Sequence, residues 1–130
     1  MPRGSRLRVD VHVSPRARRR EPVAITLRLT NTGRKPVELH LQGRQTVFDV
    51  VVTGAGGAVV WRRLAGTVHP AILQLRVLAP GEALELTASW DQRDADGRLV
   101  PAGEYFVHGE LPTDSPTPLR STVAPLHIEA

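Results

Sequence analysis

The sequence predicts an all-β protein, an immunoglobulin-like antiparallel β-sandwich of about 7–9 strands. Apolar and polar residues alternate along most of the chain, which is typical of strands that bury one face. Glycine, proline and asparagine separate these runs, and no long helical pattern interrupts them. Antiparallel strands with one buried face must stack against a second sheet, so two layers are expected.

Length and composition predict one ordinary folded domain that covers residues 1–130. Apolar residues make up 41% of the chain, which is enough for a hydrophobic core. Cysteine is absent, and this excludes both a disulfide framework and a thiolate metal site. Side-chain packing alone must therefore hold the predicted sheets together.

Three strands are predicted in the first third of the chain. Leu, Val and Ile occupy every second position of residues 7–13, 23–29 and 37–41. The arginine-rich residues 16–20 are interpreted as a solvated turn between the first two strands. Asn, Thr and Gly at 31–33 predict a second turn, because Asn and Gly tolerate positive φ.

A hairpin and one irregular stretch are predicted in the middle of the chain. Residues 46–53 and 58–63 form the arms of the hairpin, and the glycines of 54–57 form its turn. Residues 64–79 show the least regular pattern. A short helical turn is expected to begin at His69-Pro70, because proline suits a first helical position.

The last third predicts three further strands. Residues 84–90 end in a buried Trp90, residues 105–111 follow, and a final strand lies near 126–128. The polar residues 91–98 and the proline-broken residues 112–118 are predicted to be loops.

No catalytic, metal or cofactor site is expected from the motifs. No serine lies in a G-x-S-x-G nucleophile elbow, and residues 54–57 lack the Lys-Ser/Thr of a phosphate loop. His12, His40 and His108 each flank an inward apolar residue, so each is predicted to be exposed on its strand. No two histidines have the local spacing of zinc ligands.

The segment Asp94-Ala95-Asp96-Gly97 is the one candidate for a cation-binding turn. With Gly97 at the sixth position of a calcium loop, Gln92 is first and Gly103 is twelfth, where acidic residues are required. We therefore interpret the segment as an Asx-type turn, and whether it binds a cation stays open.

The net charge of +4 raises the question of a nucleic-acid partner. No aromatics are interleaved with the arginines of 16–20 to stack on bases, and no helix is predicted to enter a major groove, so no nucleic-acid partner is expected. No apolar stretch approaches the ~20 residues of a membrane helix. The first 14 residues lack the apolar region of a signal peptide. We expect a cytoplasmic monomer without membrane contact.

An ordered series of turn and aromatic motifs follows the first two predicted strands. The motifs are Leu41-Gln42-Gly43-Arg44-Gln45, Phe48-Asp49-Val50, Gly57-Ala58-Val59-Val60-Trp61, Pro80-Gly81-Glu82, Ser89-Trp90-Asp91 and Val100-Pro101-Ala102-Gly103-Glu104-Tyr105. This series resembles the BsuPI family, named for an intracellular proteinase inhibitor of bacilli, over about residues 25–111.

The resemblance implies a β-sandwich that binds a serine protease. Three positions depart from the family pattern: Val47 precedes Phe48 in place of a doubly aromatic step, Val68 replaces an aromatic, and Ala102 is inserted before Gly103. We interpret the shared residues as structural, because a fold needs aromatics and turn formers. They are Gln45, Asp49, Trp61, Pro80, Gly81, Glu82, Trp90, Pro101, Gly103 and Tyr105.

Two loops are candidates for contact with a protease, whose cleft accepts an extended and preferably rigid segment. The first, which we prefer, consists of Arg62, Arg63, Leu64, Ala65, Gly66 and Thr67, because a protease pocket can read Arg and Leu side chains. The second is residues 112–116, stiffened by prolines. The alternative function is a non-catalytic immunoglobulin-like structural or protein-interaction module without inhibitory activity.

Overall fold

The computed structural model describes residues 7–43, 46–65 and 72–130. Within these ranges every regular element is a β-strand, as the alternation predicts. The strands are β1 (Leu7–Val13), β2 (Arg16–Arg18), β3 (Val23–Asn31), β4 (Val37–Gln42), β5 (Asp49–Gly54), β6 (Val59–Arg62), β7 (Leu73–Leu78), β8 (Ala83–Trp90), β9 (Gly103–Leu111), β10 (Leu119–Arg120) and β11 (Ala124–Glu129).

The strands form an immunoglobulin-like sandwich of two sheets and a ribbon. The small sheet has the order β1-β3-β8, and the large sheet has the order β2-β11-β9-β5-β6, with β10 also paired to β9. The two-stranded ribbon consists of β4 and β7. All pairings are antiparallel except the short parallel pair of β2 and β11.

The core lies between the inward faces of the small and large sheets. Val23, Ile25, Leu27 and Leu29 of β3 are buried at every second position, which confirms the predicted face. On the large sheet Gly109 has no side chain, and Leu27 occupies that space. A Cβ built on Gly109 would lie 2.1 Å from Leu27 Cδ2. This glycine therefore permits close contact between the two sheets.

A buried asparagine joins the small sheet to the ribbon. The β3–β8 ladder ends at the pair Thr30 and Ala83, where Asn31 bonds through its backbone to Glu82 and Gly81. The Asn31 Nδ2 amide donates to the carbonyls of Lys35 (2.8 Å) and Leu78 (2.9 Å). These bonds lie at a bend, beyond which the strand pair β3–β8 is continued by the pair β4–β7.

Three details differ from the sequence predictions. There are 11 strands in the described ranges rather than about 7–9. One of the additional strands is β2, because Arg16–Arg18, expected in a turn, pair with β11. Another additional strand is β7, because Leu73–Leu78 form a strand in a stretch predicted to be irregular. The helical turn expected at His69-Pro70 lies outside the described residues.

Candidate functional site

The preferred contact segment begins where β6 ends, at one end of the β5–β6 hairpin. Arg62 closes β6, Arg63 and Ala65 are exposed, and Leu64 is half-buried. The Ala65 amide donates to the Arg62 carbonyl at 3.2 Å, so the chain turns at once after the strand. The last two residues of the predicted loop, Gly66 and Thr67, lie outside the described residues.

Asp49, a residue of the family motif, fixes the first half of this segment. It is 7% exposed at the start of β5. Its Oδ2 accepts from Arg62 Nη1 at 3.1 Å, and its Oδ1 accepts from the backbone N–H of Leu64 at 3.0 Å. One buried carboxylate thus binds a side chain and a backbone amide two residues apart, which holds the turn in one conformation.

Arg63 is fixed by Phe48, the neighbour of Asp49. Its Nη1 donates to the Phe48 carbonyl at 2.7 Å, and its guanidinium carbon lies 3.9 Å from the centre of the Phe48 ring. This is a cation–π contact supported by a charge-assisted hydrogen bond. The two arginines of the segment are therefore engaged within the protein.

Glu110 of β9 extends this polar contact across the outer face of the large sheet. Its Oε1 accepts from Arg62 at 3.4 Å, and its Oε2 lies 3.1 Å from His108 Nε2 and 3.5 Å from Arg120 Nε. Burial alone would raise the pKa of Glu110, but hydrogen bonding with His108 and the charge of Arg62 outweigh it and lower the pKa.

Contacts with carboxylates raise the pKa of Arg62. Burial would lower the pKa of Arg62, yet hydrogen bonding to Asp49 and the charge of Glu110 raise it above its ordinary value. Arg62 therefore stays protonated, and Glu110 stays ionised beside it at neutral pH. We call these five side chains the outer-face network: Asp49, Arg62, His108, Glu110 and Arg120.

The prediction that His108 is exposed is wrong. It is 8% exposed, because Glu110 and Arg120 cover it on the outer face, and Arg120 Nη2 lies 3.0 Å from its Nε2. The network could not be predicted from the alternation of residues alone, because outward strand positions are ordinarily solvated. Alternating charged and polar residues on adjacent strands can instead pair with one another. His12 and His40 are exposed as predicted.

The second candidate loop is anchored on β4. Thr113 is buried, forms a bridge with Leu41, and accepts through its carbonyl from Gln42 Nε2 at 3.4 Å. Thr113 Oγ1 also accepts from the Ser115 amide at 3.1 Å. Asp114, Ser115 and Pro116 are exposed beyond this anchor. This loop is thus attached to the ribbon, whereas the first segment follows β6 of the large sheet.

The aromatic signature residues pack together in the core. Trp90 is buried between Trp61, with ring centres 6.0 Å apart, and Tyr105, at 6.1 Å. Tyr105 also donates from its hydroxyl to the Pro101 carbonyl at 2.6 Å, four residues upstream. This arrangement is similar to the tyrosine corner of immunoglobulin folds. Burial raises the pKa of this hydroxyl, with the charge of Arg19 opposing it.

The turn signature residues lie where their chemistry is required. Glu82 Oε1 accepts from the Ala79 amide at 2.8 Å, and Gly81 adopts φ of 80° in the turn that Pro80 begins. Gly103 begins β9 with φ of 145°. Gln45 lies outside the described residues.

The acidic turn after β8 has the hydrogen bonds of an Asx turn. Asp94 Oδ1 accepts from the amides of Asp96 (2.9 Å) and Arg98 (3.0 Å), and Gly97 adopts φ of 79°. In residues 7–43, 46–65 and 72–130, no three His, Cys, Asp or Glu side chains are grouped so that they could hold a metal ion.

Gln92, which stands at the first position of the rejected calcium-loop alignment, has a structural role. It is fully buried with φ of 63°, and its Nε2 donates to the carbonyls of Arg18 (2.7 Å) and Glu21 (2.8 Å). Its Oε1 accepts from the amide of Arg20, which has φ of 75°. Gln92 thus holds the arginine-rich turn against the end of β8.

Across the described ranges, no helix is long and apolar enough to cross a membrane.

Solved structures similar to this chain share its fold at low sequence identity. The sporulation control protein Spo0M of Bacillus subtilis is 15% identical with a TM-score of 0.54, over 95% of this chain and 49% of its own. A CARDB domain of Pyrococcus furiosus is 15% identical with a TM-score of 0.51, over 95% and 94% of the two chains.

The alkylpurine DNA glycosylase AlkC of Pseudomonas fluorescens, solved with DNA containing an abasic site analogue, is 16% identical with a TM-score of 0.51. The alignment covers 96% of this chain but 31% of the glycosylase. No curated protein matches the sequence. These likenesses support the immunoglobulin-like sandwich and carry no further information about function.

The family comparison reaches further than the structural ones. A sequence model of the BsuPI family, described as intracellular proteinase inhibitor, matches residues 8–116. The match includes β1 except Leu7, and also the second candidate loop; both lie outside the range expected from the motifs. It indicates a proteinase-inhibitor-like function with a protein partner. The chain therefore belongs to the BsuPI family of intracellular proteinase inhibitors.

Proposed function

We propose that this protein inhibits a serine protease in the cytoplasm by inserting the segment after β6 into the active-site cleft. The observation that carries the proposal is the family match over residues 8–116. The protein acts by binding rather than by catalysis. The whole of residues 1–130 is taken to form the one inhibitory domain.

The geometry after β6 supports this segment as the contact loop. Asp49 holds both Arg62 and Leu64, and Phe48 holds Arg63, so the chain leaves the sheet in a fixed direction. A segment that is already ordered loses less conformational entropy when it docks, which favours tight binding.

The roles of the six predicted residues differ within this proposal. Arg62 and Arg63 serve as anchors, because their guanidinium groups are bound to Asp49, Glu110 and Phe48. The exposed Ala65, followed by Gly66 and Thr67, then meets the enzyme, with Leu64 at the boundary. Small residues suit a backbone that must approach a protease cleft closely.

A titration against a panel of serine proteases tests the proposal. Wild-type protein at micromolar concentration is expected to inhibit at least one enzyme of the panel with a stoichiometry of one. In the Ala65→Trp variant, a bulky ring blocks the segment, and we expect inhibition to weaken at least about tenfold. Thermal unfolding should be unchanged, because Ala65 is exposed.

Ala55→Trp is the matched control. Ala55 is also an exposed turn alanine, at the opposite end of the same hairpin, and its substitution should leave inhibition intact. Equal inhibition by both variants would remove the contact role from the segment. Absence of inhibition across the panel would favour the alternative, an interaction module without inhibitory activity.

A further inference from the structure

Strand β7 presents an apolar face that no described part of the protein covers. Leu73, Leu75 and Val77 are 51%, 58% and 49% exposed, and they point to the same face because they alternate along the strand. Every residue of β7 except Leu78 is exposed, whereas β3 buries every second residue. An apolar stripe of this kind on an edge strand commonly marks a contact surface.

The outer edge of β7 also offers free backbone hydrogen-bonding groups. Among the described residues β7 pairs with β4 alone. The Gly43 amide donates to the Ile72 carbonyl at 2.7 Å, so Ile72 and every second residue after it direct their backbone groups towards β4. Leu73, Leu75 and Val77 therefore direct their N–H and C=O groups away from β4, to the open edge.

We propose that β7 binds β7 of a second copy of this chain, forming a continuous sheet across a two-fold axis. The axis is normal to the sheet and passes beside Leu75. In an antiparallel pair of this kind the outward N–H and C=O groups of Leu73, Leu75 and Val77 all find partners. Two copies of one edge thus satisfy each other as an isologous interface.

The sequence of β7 selects this register. A two-fold axis normal to the sheet pairs residues that face the same side, so it must pass beside one residue. With Leu75 on the axis, Leu73 lies opposite Val77 of the second copy, and the apolar stripe is continuous. On the other face Arg76 lies opposite Gln74, a neutral side chain that does not repel it.

The neighbouring registers are less favourable. An axis beside Arg76 would place two guanidinium groups opposite each other, and like charges in that position are destabilising. An axis beside Gln74 would leave Val77 without a partner within the strand. Of these three registers, the Leu75 register therefore pairs the most residues within the strand without placing like charges opposite each other.

Other sheet edges carry the charges that oppose such pairing. The exposed face of β1 has Arg8, β2 has Arg16 and Arg18, and β8 has Glu85. Charged edge residues are a common protection against pairing between sheets. On β7 the apolar face has no such residue. The contact is confined to one strand, in the small class of interfaces below about 1,200 Å². We therefore propose a reversible dimer in place of the monomer expected from the sequence.

Sedimentation equilibrium of the full chain from about 5 µM to about 1 mM tests the dimer. Wild-type protein is expected to shift from monomer to dimer over this range. Leu75→Lys places two cations beside the axis and should raise the dimer dissociation constant at least about tenfold. Val59→Lys is the matched control, because Val59 is 52% exposed on the edge strand β6 and lies outside the proposed contact.

A mixture of two charge variants distinguishes a specific two-fold pair from general stickiness. Leu75→Lys and Leu75→Glu should each be monomeric alone, and an equimolar mixture should form a heterodimer, because Lys then lies opposite Glu. Wild-type protein that stays monomeric at the highest concentration overturns the proposal. So does a Val59→Lys variant that loses the dimer equally, or a mixture that does not associate. None of these outcomes bears on protease inhibition.

Discussion

Gly109 shows how one residue sets the separation of two sheets. The glycine lies on the inward face of β9, and the Leu27 side chain of β3 occupies the space that any larger residue would need. Its role depends on close approach rather than on an unusual backbone conformation. The sequence alone places Gly109 on the inward face but does not identify its partner, because that partner is 82 residues away in the chain.

Gly109→Ala is expected to lower the free energy of unfolding by about 1–3 kcal/mol through overpacking against Leu27. Urea unfolding measures the effect. The control is Gly56→Ala, since no atom lies within 4 Å of a Cβ at Gly56, and it should change stability by less than about 0.5 kcal/mol. Equal stability of the Gly109→Ala variant and wild type would show that the sheets can move apart at little cost.

At the scale of elements, the outer-face network connects four strands. Asp49 comes from β5, Arg62 from β6, His108 and Glu110 from β9, and Arg120 from β10. Glu110 is central, because both of its oxygens are engaged and its side chain is only 17% exposed. The network therefore joins the start of the proposed contact segment to the middle of the large sheet.

The lowered pKa of Glu110 predicts how stability depends on pH. Its pKa in the folded protein lies below the unfolded value of 4.5, so its contacts stabilise the fold above pH 4.5. That contribution is lost as the pH falls through the folded pKa. Glu110→Gln should lower stability at neutral pH and flatten the fall in the free energy of unfolding below pH 4.5.

Urea unfolding between acidic and neutral pH checks this expectation. Glu85→Gln is the control, because the Arg28–Glu85 pair on the small sheet is exposed and should contribute little. If the free energy of unfolding of the Glu110→Gln variant falls below pH 4.5 as steeply as that of wild type, a stabilising role for the network is contradicted.

Most strands could be predicted from the sequence, and the failures have physical causes. Strands β1, β3 and β4 alternate clearly because one face of each is buried. Strand β7 was missed because its exposed face carries apolar residues. The usual alternation of buried apolar and exposed polar residues therefore does not mark it as a strand. Strand β2 was missed because its pairing with β11 involves residues 111 positions apart, a relation that no local pattern contains.

At the scale of the whole molecule, the core depends on packing around Trp90. Its ring is fully buried between Trp61 and Tyr105, and its Nε1 donates to the Arg93 carbonyl at 2.9 Å. The chain has no cysteine, so no covalent link joins the sheets. If the Trp90 side chain is removed, no disulfide compensates for the lost packing between the sheets.

Trp90→Ala is expected to cost about 3–5 kcal/mol, which is a large part of a typical stability of about 5–15 kcal/mol. Thermal unfolding followed by circular dichroism measures the loss. Trp61→Ala should cost less, since Trp61 is half-buried. A Trp90→Ala variant as stable as wild type would contradict the central place of this ring.

The candidate site was less predictable than the fold. The motif around Asp49 could be recognised in the sequence, but its bonds to Arg62 and Leu64 required the register of β5 and β6. The same register changes the interpretation of the two arginines. The sequence suggested side chains available to a protease pocket, and the structure shows them bound to Asp49, Glu110 and Phe48.

The amide of Asn31 has one further consequence, for the mechanics of the ribbon. The β4–β7 pair is fastened at one end by the Asn31 bend and near the other by the Leu41–Thr113 bridge. Because the ribbon is attached at both ends, its rotation and twisting relative to the sheets are restricted. A partner that pairs with the outer edge of β7 therefore meets a strand of fixed orientation. In the proposed dimer, this would fix the angle between the two subunits.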